Sequence, residues 1–586
     1  MASPSNILRW LFCATVSLGF SADAHAVDPL VIEAEQTRIE TIQRISAPTV
    51  AIFDDEGTNG GSGVLIRPDG LAVTNFHVVS DLGPFMKCGL NDGNVYEAVI
   101  VGIDPTGDVA LVQLLGRDDF PVAELGDSDT TRIGDWVYVV GNPFLLATDF
   151  TPTVTYGIVS GVHRYQYPSG TILEYTDCLQ VDASINPGNS GGPLFNEQGQ
   201  LIGINGRASF EKRGRVNIGA GYAISINQIK NFLDHLQSGR IVDHATLGAT
   251  VRSQSDGAVV VDQILPQSEA YRRGLRQGDE IVSFAGRPIR SVNQFKNILG
   301  IYPDGWKRPL VYRRDGEKHE VMVRLRPLHS RSELMPKRAQ LAPPPRQKPD
   351  DPEEDDSEHP PTPEIPSGHP MAHLFKQPRI PEEYADLYEA RDGYANYRFN
   401  LVARDRIVDE ISRLGEFPDG AWKITGTSAS GESFELNLND EVAALTLGAE
   451  SFLQNVDEPF RDEPPGTGGL LAAMHHLRQM LIAPEDRFTE FYYLGSEPLE
   501  GDGETVEVLI ATRGSMTSRW YFRQSDGAFI GYDTEIEPDA DPCELRIMNW
   551  KTIEGRTFPA EIAVRHAGED LGKWSIDGLT FREANR

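Results

Sequence analysis

The sequence predicts a mainly β, multidomain chain. Two observations carry this: short apolar runs broken by Gly, Asp and Asn recur along most of the chain, and one proline-rich acidic stretch divides it. Its 586 residues exceed a single domain of about 100–200 residues, so three to four units are expected. Hydrophobic residues at 40% and charged residues at 24% are ordinary globular usage, which excludes a wholly disordered, collagen-like or coiled-coil chain. The net charge of −32, from 86 acidic and 54 basic residues, argues against a nucleic-acid partner and against anionic membrane surfaces.

Taken in order, the N-terminus reads as a secretory signal over residues 1–26. Arg9 supplies the positive region, Trp10 to Phe20 a short apolar core, and Ala24-His25-Ala26 a small-x-small cleavage site. That core is shorter than the roughly 20 residues a bilayer span takes, and no later stretch is long enough. Trp10-Leu11-Phe12 lacks the small residues that a lipid anchor on Cys13 would need. The mature chain is therefore expected to be exported, periplasmic or secreted, without a membrane span. Cys88, Cys178 and Cys543 remain, an odd number with no CxxC spacing, so neither a zinc site nor a disulfide framework is indicated. A Cys88–Cys178 bridge stays open beside the reading of small buried hydrophobes.

In residues 27–46, Glu33 to Ser46 has helical character, with Ile39, Ile42 and Ile45 at three-residue spacing. Over 47–238 the runs Thr49–Phe53, Gly63–Ile66, Leu71–Val73, Val95–Val101, Ala110–Leu114, Trp136–Val140 and Gly157–Val162 read as a β-barrel or sandwich, closed by a helix from Ile226 to Leu236. A smaller module over 244–327 has strands near Val259–Val261, Glu280–Phe284, Leu310–Arg313 and Val321–Leu325, and an amphipathic helix, Val292 to Leu299. Between Pro343 and Pro381, 12 of 39 residues are proline, around an acidic run from Asp350 to Asp356. Residues 328–382 are therefore read as an extended, self-repelling linker whose His359, His369 and His373 are bystanders and hold no metal. From 383 to 586 strands are expected again, among them Tyr394–Val402, Trp422–Gly426, Phe434–Leu438, Val506–Thr512 and Leu545–Trp550, interrupted by a helix from Leu470 to Ile482.

Three stretches of the first β-rich region carry chemistry. Thr74-Asn75-Phe76-His77-Val78-Val79 places a histidine at a strand end. Asp104-Pro105-Thr106-Gly107-Asp108 places an aspartate before a strand, and Asn186-Pro187-Gly188-Asn189-Ser190-Gly191-Gly192-Pro193 sets a serine among glycines. A serine hydroxyl needs an adjacent base to become a nucleophile, His77 can be that base, and a buried Asp108 can fix its tautomer. Backbone N–H groups of Gly188 and Ser190 would hold the oxyanion. The order His, Asp, Ser is that of the chymotrypsin architecture. With His77 as base, activity falls as pH drops through the histidine's pKa, about 6.5 unperturbed.

On these motifs, Ala47 to Leu236 resembles a trypsin-like serine protease of the HtrA (Deg) family. Gly61-Ser62-Gly63-Val64-Leu65-Ile66, Glu124-Leu125-Gly126-Asp127-Ser128, Val140-Gly141-Asn142-Pro143-Phe144, Tyr156-Gly157-Ile158-Val159-Ser160 and Gln180-x-Asp182-Ala183 are similar to further segments of that family. The resemblance implies a double β-barrel and an endopeptidase for unfolded or damaged proteins, with no cofactor. It also implies a pocket for small aliphatic residues that includes Ile185, Ile204 and Asn205. Ser184, six positions before Ser190, gives no acidic residue for basic specificity. A homotrimer is implied too, although the N-terminal segment has few of the aromatics through which family trimers pack. Thr246 to Leu325 resembles an HtrA-type PDZ domain: Leu247-Gly248-Ala249 stands at the carboxylate-binding loop, and Leu265-Pro266-Gln267-Ser268-Glu269-Ala270 with Gly274-Leu275-x-x-Gly278-Asp279 fits the core signature. A peptide C-terminus would be captured there and add a strand beside Ala249–Val251, with Val292, Phe295 and Leu299 lining the groove. Arg273 and its neighbours Tyr271-Arg272 depart from that pattern. The C-terminal stretch from Asp541 through Trp550-Lys551 and Gly555-Arg556-Thr557-Phe558-Pro559 resembles LolA-like half-barrels; a plain β-rich interaction domain is the other reading. A chaperone or peptide-binding scaffold with a latent or vestigial protease fold is the alternative function, against which the complete triad argues.

Overall fold

The computed structural model describes residues 28–142, 149–167, 172–210, 217–334, 380–501 and 503–582. The signal peptide, Phe144 and the interior of the proline-rich linker with its three histidines lie outside the described residues. Helix α1 (Pro29–Ser46) starts earlier than expected because Asp28 caps the Leu30 N–H and a proline fits the first turn. Of its residues only Thr41, Ile45 and Ser46 are buried; Leu30, Val31, Ile32 and Ile39 face outward.

Two closed six-stranded barrels follow. The first holds β1 (Thr49–Phe53), β2 (Gly60–Leu65), β3 (Leu71–Thr74), β4 (Phe85–Leu90), β5 (Val95–Asp104) and β6 (Val109–Leu114), in the order β1-β2-β3-β6-β5-β4. The second holds β7 (Trp136–Gly141), β8 (Thr153–Gln166), β9 (Tyr175–Val181), β10 (Pro193–Asn196), β11 (Leu201–Phe210) and β12 (Asn217–Ser225), in the order β10-β11-β12-β9-β8-β7. Barrel closure leaves no open sheet edge, and the wholly buried Val64, Ala72, Val137 and Val139 fill the interiors. Cys88 lies in β4 and Cys178 in β9; both are buried free thiols, as is Cys543, and burial pushes all three thiol pKa values up. Between β3 and β4 runs a single helical turn, α2 (Phe76–Val79), and α3 (Ile226–Gln237) closes the barrel pair.

The third unit is a sheet in which Ala249–Ser253 forms one edge, paired only with Val259–Ile264, and α4 (Val292–Leu299) covers one side. The chain enters and leaves this unit through a short ladder, Ala245–Thr246 against Arg326–Pro327. Past the linker the structure corrects one expectation: Tyr394–Val402 is not a strand but leads into α5 (Tyr397–Ser412). Its buried Tyr397, Asn400, Ile407 and Ile411, spaced by three, seven and four residues, share one helical face, and Asn396 caps the Arg398 N–H. The remainder is one antiparallel sheet of eleven strands. Phe434 and Leu445 from one end, and Leu509 and Trp520 from the other, share a single core with α6 (Leu470–Ile482), so the sheet wraps that helix. Among the described residues no helix is long and apolar enough to cross a membrane.

This C-terminal unit grips both others. The Ser496 carbonyl accepts from Trp306 Nε1 (3.0 Å) in the third unit and lies 2.9 Å from His235 Nε2 on α3. Asn400 Nδ2 donates to the Ser238 and Tyr493 carbonyls (3.0 and 2.8 Å). Arg272 and Arg273, the two arginines that depart from the module's usual pattern, donate to Asp541 at 3.0 and 3.2 Å. Burial holds the His235 pKa down at about 3, so its ring is a neutral partner at the junction.

Gly495 has φ +130°, and a Cβ there would lie 2.8 Å from the His235 ring and 2.9 Å from its Cα. Gly495→Ala is therefore expected to strain the junction by about 1–3 kcal/mol, read as about 5- to 150-fold faster amide exchange in strand Glu490–Pro498 under native conditions. Unchanged exchange there would remove the junction from the account of stability.

Candidate active site

β3 runs into Asn75, which starts α2 and so sets His77 at the mouth between the barrels. Asn75 Nδ2 donates to the Asp108 carbonyl at 2.8 Å. Asp108 ends the tight turn between β5 and β6 at φ 59°, a left-handed conformation that a non-glycine residue adopts only when its surroundings fix it. Its side chain is wholly buried. Oδ2 lies 2.8 Å from His77 Nδ1, and Oδ1 accepts the His77 backbone N–H at 3.0 Å. The Tyr175 hydroxyl donates to Oδ2 at 2.5 Å. Sequence reasoning missed Tyr175, because nothing in the Tyr175-Thr176-Asp177 stretch announces a contact to a residue 67 positions away.

The serine loop is seated on the same strands. Ser62 N–H donates to the Ser190 carbonyl (2.9 Å), and Ser62 Oγ donates to the Gly188 carbonyl (2.6 Å). Gly61 separates Val78, the neighbour of His77, from Ser190: a Cβ there would be 2.8 Å from Val78 and 2.9 Å from the Ser190 carbonyl. Gly191, at φ 79°, leaves equally little room beside Thr74 and Asn75. The glycines thus bring Ser190 against the element that carries His77. Ser190 Oγ lies 3.4 Å from the Gly206 carbonyl rather than in a hydrogen bond to His77, a spacing common before substrate binds. Gly188 has φ 100°, and among the described residues no acceptor takes its N–H or that of Ser190.

His77 is 45% exposed on its far side while its Nδ1 edge rests on Asp108. Burial lowers the ring's pKa, but the charge and hydrogen bond of Asp108 outweigh it, so the value is raised above 6.5. Of the expected pocket residues, Ile185 is buried and packs against Gly221, where a Cβ would be 2.6 Å from its Cδ1. Ile204 sits in the barrel core with Tyr138 and Tyr175, and Asn205 Nδ2 is committed to the Pro193 carbonyl at 3.1 Å. In the third unit, Leu247 is buried, Gly248 takes φ 72° against Ser268, and Ala249 opens the free edge strand. Phe295 is core, edge-on to Phe284, rather than open to a groove. The outer side of α4 docks on the second barrel through Asn297, which accepts from the Asp177 N–H (3.0 Å) and donates to the His163 carbonyl (2.6 Å).

Residues 61–204 match the model of the trypsin-like peptidase domain, and residues 245–325 that of the PDZ domain. The periplasmic serine endoprotease DegP of Escherichia coli K12 is 39% identical over 278 residues, which is 45% of this chain and 56% of that protein. Over its first half the chain is similar to HtrA-type serine endoproteases. A probable DegP-like periplasmic serine endoprotease of Chlamydia trachomatis is 37% identical over 275 residues, covering 45% and 53% of the two chains. An HtrA-type protease, AlgW with a tripeptide, is 29% identical with a TM-score of 0.41, covering 49% of this chain and 96% of its own. The chain spans a little over half the length of the curated relatives it matches.

Two outcomes follow from the geometry. Tyr175→Phe removes one donor to a buried carboxylate and is expected to lower kcat/KM by about tenfold to a hundredfold on a peptide substrate; an unchanged value would make the hydroxyl irrelevant to Asp108. Because His77 must be neutral to take a proton and its pKa is raised, kcat/KM should fall as pH drops, with a midpoint above 6.5. A midpoint at or below 6.5 would contradict the reading of the His77–Asp108 contact.

Proposed function

We propose that the chain is an exported serine endopeptidase of protein quality control, cleaving peptide bonds in unfolded or damaged proteins. Ser190 is the nucleophile and His77 its general base, then acid to the leaving amine; Asp108 holds the Nδ1 tautomer and stabilises the imidazolium. The N–H groups of Gly188 and Ser190 stabilise the oxyanion, and no cofactor takes part. The observation that carries the reading is the wholly buried Asp108 carboxylate 2.8 Å from His77 Nδ1, with the serine loop seated one glycine away from α2. Ile185 fits a pocket wall for small aliphatic side chains.

Peptide C-termini are the partner proposed for the PDZ domain. The free edge of Ala249–Ser253, whose Thr250, Arg252 and Ser253 are exposed, suits addition of one more strand. A periplasmic location accords with the signal-like N-terminus and with the periplasmic endoproteases this chain is similar to. Homotrimerisation would cover the apolar residues that α1 presents to solvent and the stacked Trp136–Tyr156 pair, 47% and 42% exposed.

The test is cleavage of unfolded casein by the mature protein beside Ser190→Ala. Cleavage by the wild type and at least a thousandfold less by the variant is the expected result, on the order of what loss of a triad nucleophile costs. No cleavage by either, with PDZ-binding peptides added, would return the chain to the scaffold reading.

A further inference from the structure

The turn that delivers Asp108 is itself gripped from outside the barrels. Asp104, at the end of β5, is wholly buried; its Oδ1 accepts the N–H groups of Thr106 (3.1 Å) and Gly107 (2.7 Å), which folds the five-residue turn onto its own first side chain. Its other oxygen, Oδ2, lies 2.8 Å from Nε2 of His244. His244 belongs neither to the barrels nor to the PDZ sheet but to the segment that joins them. It has no exposed surface, and its ring lies on that of Phe232 from α3, centroids 4.6 Å apart at 28°. A Cβ at Gly107 would fall on Asp104 Oδ2 and stand 2.6 Å from His244 Nε2, so the turn closes over the pair with only a glycine between.

The strand leaving the PDZ domain reaches the same turn. The Leu328 N–H donates to the His244 carbonyl (2.9 Å), His329 is bound by Asp243 (Nδ1 to Oδ1, 2.9 Å), and the His329 ring lies 3.4 Å from the Thr106 hydroxyl. The Thr106 carbonyl accepts the Glu174 N–H (2.8 Å), one residue before Tyr175. Every residue from Asp104 to Asp108 is buried. Burial opposes a charge on His244, and the Asp104 carboxylate, helped by Asp243 and Glu174, outweighs it and raises the ring's pKa.

We propose that His244 is a positioning residue of the catalytic centre: by holding Asp104 it fixes the Asp104–Asp108 turn and thereby the Asp108 carboxylate behind His77. The inference rests on the protease reading of the site. Asp108 occupies a left-handed backbone conformation that it would leave if the turn loosened. A carboxylate displaced by about 1 Å no longer orients His77, and errors of that size made away from the reacting atoms cost about a hundredfold in rate. The barrel strands themselves do not require the pair, since β5 and β6 remain bonded through their own ladder from Ala98–Leu114 to Asp104–Val109.

The test compares the full mature chain with His244→Phe, which keeps a ring against Phe232 but loses the donor, and His244→Gln, whose amide can still donate to Asp104. Active serines are counted with a fluorophosphonate so that rates refer to folded enzyme. His244→Phe is expected to lower kcat on a peptide substrate by about tenfold to a hundredfold with KM within about twofold. It should also move the acid limb of kcat/KM down towards pH 6.5, because His77 loses part of its contact with Asp108. His244→Gln should recover most of both. A His244→Phe enzyme with unchanged kcat and an unchanged acid limb would overturn the proposal, as would His244→Gln failing as badly as His244→Phe. A wild type that neither reacts with the fluorophosphonate nor cleaves substrate would overturn the protease reading instead, and this proposal with it.

Discussion

A carboxylate with no exposed surface is the constraint around which the first half of the chain is arranged. The oxygens of Asp108, out of reach of water, are met by the His77 ring, the His77 backbone N–H and the Tyr175 hydroxyl. Those donors come from two places: His77 on α2, after β3 in the first barrel, and Tyr175 at the start of β9 in the second. Satisfying one buried charge therefore aligns two barrels, and the same alignment seats the serine loop, which is tied to β2 through Ser62 and to β11 through Asn205. The geometry of the proposed catalytic site is a by-product of burying that carboxylate without leaving it unpaired.

Buried charge is also how the PDZ domain is held. Arg324 from its last long strand reaches Glu497 (3.1 Å) and Asp533 (3.0 Å) of the C-terminal sheet, and Lys307 reaches Glu544 (2.6 Å), every one of them largely buried. Burial alone would raise the Glu497 carboxyl's pKa, but Arg519 and Arg324 hold it below its ordinary value. Such networks add little net stability compared with apolar packing, yet removing one partner strands the rest, at about 3–5 kcal/mol. Their effect here is geometric: the PDZ domain has one allowed seat, and leaving it exposes several unpaired charges at once.

The parts of this arrangement that were legible in the sequence are those encoded over short spans. Glycine around Ser190, asparagine before α2 and an aspartate two residues ahead of the Ala110–Leu114 run each report a local backbone requirement that marks the candidate triad, and the short apolar runs read as a barrel or sandwich, which the family resemblance resolves into two barrels. The Val292–Leu299 and Leu470–Ile482 helices were equally plain from their apolar spacing. The start of α5 reads as extended because the aromatics of Tyr394-Ala395-Asn396-Tyr397-Arg398-Phe399 mimic strand composition; its helical spacing shows only when Ile407 and Ile411 are counted with Tyr397 and Asn400. What could not be read were contacts across large separations: Tyr175 to Asp108, His244 to Asp104, and the C-terminal grip on His235. The oddity of Tyr271-Arg272-Arg273 was visible, but its cause, Asp541, lies about 270 positions on.

These contacts bear on how the PDZ domain can communicate with the triad. One side of it is fixed to the second barrel through Asn297, another to the C-terminal sheet through Arg324 and Trp306, and its two chain ends meet at His244 and His329 against the catalytic turn. A swing of the whole domain would break all of these together, leaving buried donors and acceptors unpaired. The edge strand Ala249–Ser253 stays free and begins three residues after the end of the Ala245–Thr246 ladder that adjoins His244. A strand added there would act on a clamped body, and an effect of it on the proposed triad would travel as a small displacement along that ladder into Asp104, not as a change of domain orientation.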